Sequence, residues 1–456
     1  MDLKLYDELN TLSKHGHIKI ELPDYIINNL NETFELRAYQ KESIGYFIHH
    51  FSEEQKQKPY EVLFNMATGS GKTLVMAADI LYLYEHGYRN FIFFVNSTNI
   101  IEKTKQNFLN SYSSKYLFAK KIIFNDQEIK IKKVNSFETS NKVDIHILFI
   151  TIQGLHVTLN FPKENSITFE DFKDKKIVLL SDEAHHINAM TKNTLTNEEK
   201  LEKKSWEMTV NKIFNANSDN LLLEFTATID LDHPAINAKY NDKIIYYYDL
   251  KQFRVDGFSK EVKVLQSDVA PMQRALQSLL ISQNRRKVAE KNHLLIKPVI
   301  LMKSKTIAES EKFEKEFHNK IKNLKIGDLE KIKKKSRSNV LQNAFNYFDS
   351  NNISFANLII EIKEDFGEDK CISVNSKNDS ENKQILVNTL EDKSNAIRII
   401  FVVDKLNEGW DVLNLFDIVR LYDTRDVQHG KPGKKTIAEA QLIGRGARYC
   451  PFEIRD

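Results

Sequence analysis

The run Met66-Ala67-Thr68-Gly69-Ser70-Gly71-Lys72-Thr73 gathers residue types suited to holding phosphate. Glycines let a loop curl so that its backbone N–H groups turn inward, which makes a nest for anions. The apolar run Val62-Leu63-Phe64 precedes it, and a helical pattern beginning at Thr73 and Leu74 follows. This order predicts strand, glycine loop, helix, with the helix N-terminus adding positive potential at the loop. In such a joint Thr68, Gly69, Ser70 and Gly71 line the phosphates, Lys72 reaches the outer ones, and the Thr73 hydroxyl holds Mg²⁺. Met66 stands where the G-x-x-x-x-G-K-[ST] pattern has its first glycine; the Gly-Ser-Gly-Lys-Thr heart is intact. A plain strand-to-helix connection is the competing reading of the loop alone.

Two acids form the next candidate. Ile177–Leu180 is a buried-strand run leading into Ser181-Asp182-Glu183-Ala184-His185. An aspartate at the end of such a strand suits a Mg²⁺ ion, and Glu183 suits polarisation of an attacking water. A solvated acidic loop is the plain alternative. Zinc at His185 and His186 is disfavoured, since adjacent histidines lack the i, i+4 spacing of a helical metal pair. Near the carboxyl terminus, Gln441-Leu442-Ile443-Gly444-Arg445-Gly446-Ala447-Arg448 sets two arginines one helical turn apart. Always charged and able to fork onto phosphate oxygens, they suit a phosphoryl transition state, or else a surface ion pair. Gln40 can read an adenine edge with its carboxamide, or simply face solvent on its helix. Asn96-Ser97-Thr98, after the strand run Phe91–Val95, suits either a nucleic-acid phosphate or a helix cap. The hydroxyls of Thr226 and Thr228, after the run Leu221–Phe225, could link the site to a neighbouring domain. Gly409 and Asp411 follow the strand run Ile397–Val403, where a second domain would face the nucleotide.

The elements that must position these residues alternate. Continuous apolar runs at Phe91–Val95, His146–Ile150, Ile177–Leu180 and Leu221–Phe225 read as strands buried on both faces, with helical spacing between them. This argues for an α/β doubly wound parallel sheet. The pattern lapses between Tyr246 and Phe258, then a second series starts at Pro298–Met302 and continues through Cys371–Val374 and Ile418–Tyr422. The expected organisation is a lead-in at 1–33, a first domain at 34–245, a connector at 246–297 and a second domain at 298–456. A helical insertion is expected at about 307–350, its Phe313, Phe317, Ile321 and Leu324 sharing one face. It contains the most basic stretch, Lys331–Arg337, which suits DNA backbone or a solvated helix face.

At 456 residues, 41% hydrophobic and 28% charged, the chain is long enough for two or three packed domains. Its net charge of +3 does not announce a nucleic-acid binder, so such a role needs a local basic surface. Cys371 and Cys450 form no C-x-x-C pair, and no apolar run approaches a membrane span. With no signal-peptide pattern at Met1-Asp2-Leu3-Lys4, a cytoplasmic setting and no membrane partner are expected.

Taken in order, the motifs from Phe34 to Phe452 resemble those of superfamily-2 helicases and translocases. The finer wording at Met66–Thr73, Lys297–Ser310, Asn407–Tyr422 and Glu439–Phe452 is similar to the Res subunit of type III restriction enzymes. The resemblance implies two tandem RecA-like domains with ATP and Mg²⁺ bound in the cleft between them. It implies Gln40, Gly409 and Asp411 at the nucleotide, and coupling roles for His185, Thr226, Thr228 and Gln441. It further implies ATP-driven movement on duplex DNA and a methyltransferase (Mod) partner that recognises the site. Family members carry a nuclease domain beyond the last helicase motif, whereas this sequence stops at Asp456, so cleavage is not expected of it. Glu261-Val262-Lys263 and Glu361-Ile362-Lys363 have a nuclease-like spacing but read as chance occurrences. The rival readings are a catalytically idle subunit that docks on Mod or DNA, and an RNA-directed helicase.

Overall fold

A computed structural model describes residues 4–53, 58–138, 140–161, 167–184, 197–229, 231, 233–265, 269–374, 381–403, 410, 412–422, 427–428, 431–432, 442–444, 446–447 and 453–454. The chain divides into two units at Phe253/Arg254.

In the first unit, helices α1 (Leu5–Lys14), α2 (Asp24–Ile27) and α3 (Ala38–Ser52) lead to strand β1 (Tyr60–Met66) and helix α4 (Lys72–Glu85). Then come β2 (Asn90–Val95), α5 (Thr98–Leu109), the hairpin β3 (Ile122–Phe124) and β4 (Gln127–Ile129), β5 (Ile131–Lys133) and β6 (Ile145–Thr151). Helix α6 (Ile152–Asn160), β7 (Ile177–Asp182), α7 (Asn197–Phe214), β8 (Leu221–Thr226), α8 (Pro234–Tyr240), β9 (Ile244–Tyr248) and α9 (Leu250–Val255) complete the series. Seven strands form one sheet in the order β5-β6-β2-β7-β8-β1-β9, every pairing parallel. Parallel strands require crossovers, and the intervening helices cover both faces. Alternation decides which side chain meets which helix. Ile92 and Phe94 join Leu155 and Leu159 of α6, whereas Phe93 meets Phe108 of α5 from the opposite face. Gly87, with φ of 86°, closes α4 in the left-handed region that suits glycine.

The second unit is built on a four-stranded parallel sheet in the order β12-β13-β11-β14. Its elements are α10 (Pro271–Lys291), β10 (Leu294–Leu295), β11 (Val299–Lys303), α11 (Ile307–Lys322), α12 (Ile326–Lys335), α13 (Asn339–Ser350) and α14 (Phe355–Asp365). There follow β12 (Cys371–Val374), α15 (Glu381–Asn388), β13 (Ile399–Val402), β14 (Leu415–Arg420), β15 (Val427–Gln428), β16 (Lys431–Pro432) and β17 (Glu453–Ile454). One sheet face packs Ile300, Met302, Ile399 and Phe401 against α10 and the α11–α14 helices. The other packs Leu301, Ile400 and Val402 against Val387, Leu390, Trp410 and Leu442.

The elements add detail to two expectations about organisation. The segment 246–297 is not a bare connector: it starts inside β9, an edge strand of the first sheet, and contains the long helix α10. The helical insertion runs past 350, with α14 extending to Asp365. Its first three helices are separated at 323–325 and 336–338.

Buried charge ties the insertion to its sheet. Arg398, 5% exposed, donates to Pro298 O at 2.8 Å and Ser282 Oγ at 3.3 Å and pairs with Asp365 at 3.3 Å. Asp365 also pairs with Arg286 and accepts from Gln283 Nε2 at 2.6 Å. Removing one partner of a buried ion pair strands the other charge. Asp365→Ala is therefore expected to destabilise the second unit by about 3–5 kcal/mol. Trp410 fluorescence during urea unfolding of a Trp206→Phe background measures this, and an unchanged midpoint would contradict it.

The first sheet buries a second kind of acid. Glu224 on β8 is buried, and its pKa is raised to about 7 by burial and by Glu61, despite Lys239 and Lys243. Those lysines are already paired, Lys239 with Glu207 at 2.8 Å and Lys243 with Glu61 at 2.6 Å. A carboxyl with a raised folded pKa binds its proton more tightly when folded. Its stabilising contribution is full below the ordinary glutamate range and is lost as pH rises through about 7. Melting temperature should fall for wild type between pH 6 and 8, and Glu224→Gln should flatten that slope. An equally steep slope in the variant would sink this assignment.

Candidate active site

The strand–loop–helix joint forms as its sequence requires. β1 ends at the buried Met66, and α4 begins at Lys72 with Gly71 as its N-cap. Gly69 and Gly71 have φ of 85° and 81°, values that cost other residues about 1–2 kcal/mol. A Cβ on Gly71 would also lie 2.4 Å from Gln40 Nε2. The loop is pinned from outside. Ala67 N donates to Tyr248 O at 2.8 Å, while Ser70 O accepts from Tyr39 Oη and Gln40 Nε2, both at 2.8 Å. The Tyr39 ring stacks on Tyr248, with ring centres 4.5 Å apart.

This pinning leaves the interior of the loop unpaired. Among the described residues, the backbone N–H groups of Gly69, Gly71, Lys72 and Thr73 have no protein acceptor. The Ser70 hydroxyl is buried without a hydrogen-bond partner. Among the described residues, Lys72 Nζ has a long contact to Met66 O, 3.4 Å, and no carboxylate in ion-pair reach. Backbone donors left without acceptors and a weakly held cation at a helix N-terminus fit an anion the size of a phosphate group. Gln40 is not on a solvent-facing surface. It is 4% exposed, and its Oε1 accepts from Arg37 N at 2.9 Å, so both ends of the carboxamide are engaged.

The acids lie at the same end of the sheet, because β1, β8 and β7 run parallel. Asp182 closes β7, and its Oδ1 accepts from Glu183 N at 2.9 Å. Glu183 has φ of 54°, an unusual conformation for a residue with a side chain. The Asp182 pKa is raised to about 6, first by burial and then by the Glu183 carboxylate; Lys72 and Lys103 pull it down. Lys72 of the loop and Asp182 of β7 thus act on one another electrostatically. Lys103 on α5 was not anticipated, and neither was Tyr39, although Tyr39 adjoins Gln40. A lysine on an amphipathic helix and a tyrosine at a helix start carry no spacing signal, and only the fold brings Tyr39 to the loop and Lys103 within electrostatic reach of Asp182.

Thr226 is buried at the end of β8. Its Oγ1 accepts from Thr228 N at 3.3 Å and donates to Thr228 O at 3.1 Å, making a tight turn beside the acids. Asn96 and Ser97 follow β2 at this sheet end, and Thr98 opens α5. Ser97 is the N-cap residue yet makes no side-chain cap bond, and Asn96 Oδ1 is buried without a partner. His185, Gly409, Asp411, Gln441, Arg445 and Arg448 lie outside the described residues. Their neighbours Leu442–Gly444 and Gly446 are helical.

Among the described residues no cluster of His, Cys, Asp and Glu could hold a metal ion. Cys371 is half-buried, its thiol pushed well up by burial. Glu261 pairs with Lys263 at 3.2 Å on the surface, and Glu361 pairs with Lys287 at 2.7 Å. No described helix is long and apolar enough to cross a membrane.

Two parallel α/β units, with a glycine loop and an Asp-Glu strand end in the first, have the architecture of tandem RecA-like domains. Two solved structures share the fold. They are a DNA-bound Type ISP restriction-modification enzyme, LlaBIII, and a DNA-bound DUF1998 helicase, MrfA, each with a TM-score of 0.52. They are 14% and 13% identical, cover 92% and 94% of this chain, and are themselves covered to 27% and 49%. A family profile described as "Type III restriction enzyme, res subunit" matches residues 33–231, and one described as an "N-terminal region" matches 435–456. The chain is 37% identical to a Haemophilus influenzae protein described as "Probable type III restriction-modification enzyme HindVIP Res subunit". That match spans 88% of this chain and 86% of the relative. The chain belongs to the Res-subunit family of type III restriction enzymes.

Gly71→Ala combines left-handed strain with displacement of Gln40. It is expected to weaken binding of a fluorescent ATP analogue by about tenfold or more, the equivalent of 1.4 kcal/mol. Wild-type affinity would contradict the loop geometry described above.

Proposed function

We propose that this chain is an ATP-dependent motor of a type III restriction-like system, coupling ATP hydrolysis to movement on duplex DNA. The observation that carries the reading is the set of unpaired N–H groups beside Lys72, at the sheet end that also bears Asp182 and Glu183. Thr68, Gly69, Ser70, Gly71 and Lys72 hold the phosphates by backbone donation and charge. Thr73 and Asp182 are the ligands for Mg²⁺, which when bound offsets phosphate charge. Glu183 orients the water that attacks the outer phosphorus. Arg445 and Arg448 supply positive charge to the transferring phosphoryl group from the second unit, with Gln441, Gly409 and Asp411 at the same nucleotide. His185, Thr226 and Thr228 couple that event to the grip on nucleic acid. Gln40 has a double duty: it holds Ser70, and it must release or share that bond to read adenine.

For DNA, Asn96, Ser97 and Thr98 offer uncapped helix donors and small polar side chains to backbone phosphate. A local basic surface also exists despite the weak net charge. Between Lys320 and Arg337 there are eight basic and two acidic residues. Lys333 is committed to Asp349 at 2.7 Å, whereas Lys331, Lys334 and Lys335 share one face of α12 and are exposed. Among the described residues those three have no hydrogen-bonded or ion-paired partner. Such exposed positive charge suits a polyanion and gives a salt-sensitive contact. A Mod methyltransferase is proposed as the partner that supplies site recognition, on the strength of family membership.

Glu183→Gln should remove turnover while leaving ATP binding within about twofold of wild type, since only the water-orienting charge is lost. Arg448→Ala should lower kcat more than it raises KM. Normal turnover by Glu183→Gln would take Glu183 out of the mechanism.

A further inference from the structure

The Lys260 side chain is used unusually. Its Nζ donates to three backbone carbonyls, Leu413 O at 2.6 Å, Leu415 O at 2.8 Å and Gly446 O at 3.0 Å. Its own backbone N–H donates to Ala447 O at 2.6 Å. The ammonium also sits 4.2 Å from the centre of the Phe416 ring, within cation–π reach. An ammonium has three donors and no acceptor, so these three carbonyls match its full capacity.

The four carbonyls belong to two segments that are remote in sequence. Leu413 and Leu415 lead into β14, just after the Gly409–Asp411 stretch. Gly446 is helical and Ala447 follows it in a turn, and in sequence the two stand between Arg445 and Arg448. Gly446 is already close to β14, where an added Cβ would lie 3.2 Å from Leu415 Cδ2. Bonds from a charged donor to neutral carbonyls are stronger than backbone bonds, and they need no change elsewhere to stay satisfied. The neighbouring Asp417 is paired with Arg285 and also feels the Lys260 charge.

We infer that Lys260 is a positioning residue for the arginine segment: it staples the Gly446–Ala447 main chain to the Leu413–Leu415 segment. Arg445 and Arg448 are the sequence neighbours of that stapled main chain, and transition-state stabilisation by charge requires the charge to be held in place. The inference rests on the reading, proposed above, that these arginines serve hydrolysis.

Lys260→Met keeps the stem and removes the donors. Amides within 410–416 and 442–447 should then exchange with deuterium about tenfold faster or more, with the glycine loop of the first unit unchanged. ATPase kcat should fall by about tenfold while KM for ATP stays within about twofold. Lys260→Arg keeps the charge but cannot converge three donors on one point, so it should fold and give an intermediate kcat. The inference is overturned if both variants fold and retain wild-type exchange and kcat. It is equally overturned if stability falls but kcat does not. Arg448→Ala is measured in parallel. If only Arg448→Ala loses kcat, the staple fails and the arginine reading stands. If Arg448→Ala is also wild-type in kcat, the arginine reading fails, and the positioning role falls with it.

Discussion

Everything in the first unit depends on one backbone constraint: the chain must turn from β1 into α4 with its N–H groups facing inward and unpaired. Unpaired donors are costly, and a loop left to itself would fold back to satisfy them. The fold prevents this from outside. Tyr39, Gln40 and the Tyr248 carbonyl occupy the outward-facing groups of Ala67 and Ser70, so the loop cannot collapse onto its own donors. Left-handed glycines at 69 and 71 make that path sterically possible. The proposed anion site is thus a consequence of where the loop's other hydrogen bonds are made.

The acids obey the same logic. A parallel sheet puts every strand's carboxyl end on one side, which brings Asp182 and Thr226 beside the loop without any local sequence signal for proximity. Burial at that end raises the Asp182 pKa, and Lys72 opposes the rise. Lys72 therefore makes the Asp182 charge less costly to keep. In the second unit, Asp365 and Lys260 play comparable parts, holding helices and main-chain segments by charge where apolar packing alone leaves no fixed register.

Much of this was legible beforehand. Continuous apolar runs such as Phe91–Val95 and Leu221–Phe225 could only be strands buried on both faces, and they are Asn90–Val95 and Leu221–Thr226. Phe313, Phe317, Ile321 and Leu324 share a buried face, as their spacing required. What sequence could not supply were features created by tertiary contact. The tyrosines of β9 look like a lapse in pattern, because an edge strand packed on Tyr39, Tyr46 and Tyr6 carries polar rings in place of aliphatic side chains. Gln40 on its helix gave no hint of which way it faced until the loop came to meet it. Lys260 is one lysine among many, distinguished only by three carbonyls brought together from 413, 415 and 446.

The central claim is that the unpaired donors and Lys72 form a working nucleotide site that responds to DNA. The most direct measurement is steady-state ATPase activity of this polypeptide with and without duplex DNA, single-stranded DNA and RNA, alongside Lys72→Ala. The account predicts turnover that rises most with duplex DNA and disappears in Lys72→Ala. Turnover absent under every condition, or unchanged in Lys72→Ala, would contradict it.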